Sequence, residues 1–194
     1  MQLSVNNISV AFGFNVIFHK LSFCLQQGKI LQISGPNGVG KSVLLGAIDG
    51  AYIPFHGDIT NSFNSKILIN QNNAIKRELL VREQLQFWQG LTRQTLKMPD
   101  DWGLSELIDA PIEYLSLGQK QRLALSKLDI LDADLWLLDE PYHGLDQDGQ
   151  TILNNKIKQK ISDGGAVIIV NHNKLALPVD QVVDMSRDNL YVAA

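Results

Sequence analysis

Residues 35–42 read GPNGVGKS, and the reading of this stretch decides the fold. Glycine loses more backbone freedom on folding than any other residue, so a run this rich in it implies a backbone shape that side chains would obstruct. The pattern is G-x-x-x-x-G-K-[ST], with Gly35, Gly40, Lys41 and Ser42 at the fixed positions. Pro36, Asn37, Gly38 and Val39 fill the loop between them, and Val43 follows. KILQIS at 29–34 is apolar enough for a buried strand, and VLLGAI at 43–48 suits the start of a helix. In that strand–loop–helix context, residues 35–43 curl so that several N–H groups point at one anion. The helix N-terminus adds a partial positive charge at the same place. Lys41 then reaches the outer phosphates, and Ser42 offers its hydroxyl to Mg²⁺. The ligand expected is a nucleoside triphosphate; the loop is silent on what the energy drives.

The 194 residues suit one domain, 1–194, with a mainly helical subdomain at about 72–125. Hydrophobic residues make up 45%, enough for a sizeable core, and the net charge of −3 gives no basic balance favouring nucleic acid. The single cysteine, Cys24, excludes an internal disulfide and fits a reducing compartment. MQLSVNNISVAFG lacks a charged n-region followed by an apolar run, so no signal peptide is expected. No segment approaches the roughly 18–20 apolar residues of a bilayer span.

Strands are expected at 3–10 and 16–25, with turns at 13–15 and 26–28. Further strands begin at Gly57 and at Lys66, the latter ending near Gln71. From 72 to 110 the pattern turns helical, at 82–91 and 104–108, with Pro99 breaking the run. A helix at 118–128, a strand at 135–138, a helix at 149–161 and a strand at 166–171 complete the order. Strands alternating with helices predict an α/β fold: a mainly parallel sheet covered on both faces, with a small antiparallel β part.

LWLLDE at 135–140 is a buried strand ending in two carboxylates. Ligands of open α/β sheets bind at such strand ends. Asp139 is placed to hold Mg²⁺, directly or through water, and Glu140 to polarise an attacking water.

LSLGQ at 115–119, followed by KQRLALSKL, makes a resemblance specific. The chain resembles an ATP-binding-cassette (ABC) nucleotide-binding domain, whose signature is commonly LSGGQ before a basic helix. Leu117 stands at the usual third-position glycine. Ser116 still supplies a hydroxyl, or a helix cap, while Gly118 permits close backbone approach and Gln119 opens the helix. The resemblance implies a P-loop core binding ATP and Mg²⁺. It implies that Gln71 touches metal and water, that Asp146 of HGLD (143–146) is the D-loop acid, and that His172 contacts the γ-phosphate. It also implies that Phe12 stacks on adenine, although alone Phe12 would be read as core. Family members pair head to tail, so ATP is expected between residues 35–42 of one copy and 116–119 of a second.

Within that family the compact length and the wording LQISGPNGVGKS, LWLLDEP and GGAVIIVNH are most similar to the haem-exporter ATPases of cytochrome c maturation (CcmA-type). That similarity implies integral membrane permease subunits as partners and a peripheral place at the cytoplasmic face of the inner membrane. Another small exporter ATPase, or a soluble cassette without transport, remain the alternatives. In the insert, Phe87, Trp88 and Trp102 either anchor a membrane subunit or hold the insert together.

Overall fold

The computed structural model describes residues 1–70, 75–92, 100–172 and 175–188. Strands β1 (Gln2–Phe12) and β2 (Asn15–Gln26) form a hairpin. Strand β3 (Ile30–Ser34) leads through the glycine loop into helix α1 (Lys41–Asp49). Strand β4 (His56–Asn61) pairs antiparallel with β1, giving a three-stranded sheet of order β2-β1-β4. Strands β5 (Lys66–Ile69), β6 (Leu135–Asp139), β7 (Ala166–Val170) and β8 (Gln181–Asp184) join β3 in a second sheet. Its order is β5-β6-β7-β3-β8, and every pair is parallel. This is the expected α/β arrangement, a parallel sheet beside a small antiparallel one.

The parallel sheet is buried on both faces, which is why its strands read as unbroken apolar runs. Successive side chains still alternate. Leu135 and Leu137 join a core with α1 and the small sheet, whereas Trp136 and Leu138 join the core beneath the insert. In β7, Ile168 and Val170 take the first face, Val167 and Ile169 the second. By the same alternation Asp139 emerges on the α1 side.

Helix α2 (Val81–Gln89) buries Val81, Gln84, Leu85 and Trp88, one stripe at helical spacing. Helices α3 (Leu117–Leu125) and α4 (Lys127–Leu131) replace the single helix expected at 118–128. The buried Ser126 between them turns its hydroxyl onto Leu123 O at 2.7 Å. Helix α5 (Gln147–Ser162) covers the sheet, and a short α6 (Met185–Asp188) follows β8. Residues 104–108 form a 3₁₀ turn (Ser105–Leu107) rather than an α-helix. Among the described residues no helix is long and apolar enough to cross a membrane.

The three insert aromatics separate. Trp88 is 2% and Trp102 0% exposed, and Trp102 donates its indole N–H to Asp129 at 2.7 Å. Both hold the insert together and are not surface anchors. Phe87, 47% exposed, stays on the outer face of α2.

Candidate functional site

The glycine loop closes on its own lysine. Gly40 takes φ 103° at the N-cap of α1, and a Cβ there would meet Ile17 Cγ2 at 2.6 Å, so this position accepts only glycine. Lys41 is buried, and its ammonium donates to Gly35 O and Pro36 O, each at 2.9 Å. Burial lowers the Lys41 pKa, opposed by the charges of Glu140 and Asp139. Lys41 thus sits inside the loop, close to two carboxylates, with neutral carbonyls as ligands that an anion can replace.

Strand β6 delivers those carboxylates. Burial pushes the Asp139 carboxyl up, and a hydrogen bond with the Ser42 side chain pulls it back down. Ser42, Val43 and Asp139, with Tyr52 and Asn70, line a cleft of about 300 Å³. Glu140 follows the strand at φ 50°, the left-handed region that costs a side-chain-bearing residue about 1–2 kcal/mol. Its backbone is fixed there: its N–H donates to Val170 O at 3.0 Å, and its C=O accepts from His143 N at 3.0 Å. The carboxylate then meets His172, whose Nε2 lies 2.7 Å from Glu140 Oε1. An ionised carboxylate only accepts, so the imidazole N–H donates. Parallel pairing of Asp139 with Val170 explains the meeting, because both chains leave the sheet at the same edge. Asp139 is hydrogen-bonded to Ser42 and lies within electrostatic reach of Lys41, Glu140 and His172, so the five groups cluster at the end of β6, with Glu140 and His172 facing a second cleft beside Tyr142 and Asn171. Gln71 lies outside the described residues.

Residues 116–119 do something different. Ser116 Oγ accepts from Gln119 N at 3.2 Å, and Gln119 Oε1 accepts from Ser116 N at 2.8 Å, a reciprocal cap on α3. The start of α3 lies against the loop after β6: a Cβ on Gly118 would sit 2.8 Å from Gly144 O. Gln121 donates to Pro141 O at 3.0 Å, and Arg122 Nη2 to Asp146 Oδ1 at 2.5 Å. Asp146 also N-caps α5 through Gly149 N at 2.9 Å. The Arg122 guanidinium holds the Asp146 carboxyl below the usual carboxylate range. Asp146 therefore joins α3 to α5. Arg122 was invisible as a partner in the sequence, because one arginine in a helix rich in Lys and Gln has no direction until the fold gives it one. Leu117, 62% exposed, lies over Gly144 and leaves most of its surface to solvent. Phe12 is 45% exposed at the end of β1, outside both apolar cores.

The ABC transporter family profile matches residues 18–143, about two thirds of the chain. The chain belongs to the ABC transporter family. The cytochrome c biogenesis ATP-binding export protein CcmA of Bartonella henselae is 34% identical over 199 residues, covering 96% of each chain. The same-named protein of Novosphingobium aromaticivorans is 34% identical, covering 90% of this chain and 91% of its own. Two solved folds are similar. An ABC transporter ATP-binding protein of Pyrococcus furiosus gives a TM-score of 0.82 at 21% identity, covering 97% of this chain and all of its own. An ATP-binding subunit of an ABC transporter gives 0.80 at 20% identity, covering 89% and 80%. This chain is therefore an ABC transporter ATP-binding subunit.

Proposed function

We propose that the chain is the ATPase subunit of a haem-exporting cytochrome c biogenesis system, working as a head-to-tail pair beneath integral membrane subunits. The observation that carries the haem reading is the match to CcmA relatives over 96% of both chains. ATP lies between residues 35–43 of one copy and Ser116, Gly118 and Gln119 of the other. Helix α3 there presents a capped N-terminus to an anion. Lys41 exchanges its two carbonyl ligands for outer phosphate oxygens. Glu140 takes a proton from water as the water oxygen bonds to the γ-phosphorus and the bond to ADP breaks. His172 holds the Glu140 carboxylate in line and stands near the γ-phosphate.

The Ser42 hydroxyl and Asp139 carboxylate, already hydrogen-bonded to each other, form an oxygen donor pair of the kind Mg²⁺ prefers. Gln71 is the third residue proposed there. Bound Mg²⁺ would neutralise charge on the phosphate oxygens.

Phe12 is read as the ring that meets the base. Phe12→Ala should weaken ATP binding by the equivalent of about 1–3 kcal/mol, the usual worth of a base–aromatic stack. Because the side chain is outside the core, the nucleotide-free melting temperature should hardly move. A large fall in that temperature would return Phe12 to a packing role.

Residues 72–125 form the subdomain that meets the membrane partner, through the outer face of α2 at Phe87 with the nearby exposed Leu91. The place of action is the cytoplasmic face of the cell membrane. A strain deleted for this gene should lose c-type cytochromes, and detergent extracts should yield the chain with an integral membrane protein. Normal c-type cytochromes in the deletion would remove the haem reading and leave an ATPase of another transporter. A chain that extracts without any membrane partner would instead favour a soluble cassette.

A further inference from the structure

Tyr52 belongs to none of the motifs above, yet three observations converge on it. Its ring lies against α1 at Gly46, where an added Cβ would meet ring carbons at 2.6 and 2.7 Å. A glycine inside a helix is unfavourable by itself, so its place under a tyrosine ring gives it a packing reason. The same ring meets Phe12 edge-to-face, with centroids 5.0 Å apart and planes at 72°. Tyr52 also lines the cleft shared by Ser42, Val43 and Asp139. The two rings remain 40% and 45% exposed, so neither belongs to a core; Tyr52 lines the cleft, and Phe12 reaches it through its contact with that ring.

We infer that Tyr52 is a positioning residue for the nucleotide base, seated on Gly46 and setting the tilt of the Phe12 ring. Edge-to-face contact fixes the orientation of a ring without covering both of its faces. Phe12 stands at the end of a strand, beside the turn at Gly13, and its ring packs edge-to-face on Tyr52. Tyr52, anchored to the same helix whose first turn holds Lys41 and Ser42, ties the base-facing ring to the phosphate loop. Base and triphosphate then find their two contacts at a fixed separation, which lowers the ordering penalty of binding. The inference rests on the reading of Phe12 as the base contact.

The test is calorimetric titration of the full chain with Mg·ATP and with inorganic tripolyphosphate, for Tyr52→Ala, Tyr52→Phe, Gly46→Ala, Phe12→Ala and the Phe12→Ala/Tyr52→Ala double variant. Tyr52→Ala should weaken ATP binding about three- to tenfold, the range of an aromatic pair, and leave tripolyphosphate affinity unchanged. Tyr52→Phe should match the parent, because the ring and not the hydroxyl makes the contact. Gly46→Ala displaces the ring while suiting the helix better, so it should weaken ATP without lowering the melting temperature. The double variant should be no worse than Phe12→Ala, since Tyr52 acts through Phe12. Additive losses, an equal loss of tripolyphosphate, or a Tyr52→Phe variant as weak as Tyr52→Ala would each overturn the inference. If Phe12→Ala binds ATP like the parent, the base-contact reading fails first and takes this inference with it.

Discussion

Lys41→Ala is expected to abolish productive ATP binding. The ammonium now donates to Gly35 O and Pro36 O, so it already points into the curl of the loop. It is also the cation that faces Asp139 and Glu140 across the site. A triphosphate entering without it meets two carboxylates without the lysine's balancing charge. Hydrogen bonds to charged groups contribute about 1.5–3 kcal/mol each, so losing two corresponds to about 10²–10⁴ in affinity. Titration with a fluorescent ATP analogue measures this, alongside melting of the nucleotide-free protein to confirm folding. Hydrolysis at the parental rate would remove Lys41 from the phosphate site.

Glu140→Gln is expected to separate binding from chemistry. The amide keeps the size of the side chain, and its oxygen can still accept from His172 Nε2, now 2.7 Å from Glu140 Oε1. It cannot take a proton from water, and loss of general-base help lowers rates by about 10²–10⁴. ATP should therefore bind with near-parental affinity, hydrolysis should fall by that factor, and a nucleotide-bound pair of chains should accumulate. Single-turnover hydrolysis and size-exclusion chromatography with Mg·ATP read both effects. Unchanged turnover, or loss of nucleotide binding itself, would deny Glu140 the role of base. The left-handed backbone at Glu140 makes the site demanding: its carboxylate reaches His172 from a conformation held by Val170 O and His143 N.

The sequence made the framework legible wherever a pattern is local. The apolar runs of β3, β6 and β7 follow from burial on two faces of a parallel sheet. Strand β8 escaped because QVVD is four residues with polar ends, and its pairing with β3 creates it. The break between α3 and α4 escaped because a serine inside an apolar-periodic stretch does not announce that it will bend the chain. Trp88 and Trp102 carried the opposite ambiguity. Aromatic residues among polar ones fit a docking surface or a small core equally well, and only their burial in the core beneath the insert decides it.

By itself, then, the sequence determined the phosphate loop, the strand that carries Asp139 and Glu140, and the cassette family, because glycine dihedrals, side-chain period and motif spacing act over a few residues. Tertiary structure decided which distant groups meet. Glu140 and His172 stand 32 residues apart and touch because β6 and β7 run parallel and end in register. Arg122 finds Asp146 because α3 packs on the loop after β6. Phe12, at the end of a hairpin strand, and Tyr52, just beyond the C-terminus of α1, meet because the small sheet shares a core with that helix. Contacts of this kind depend on which elements share a core, and no local pattern records that.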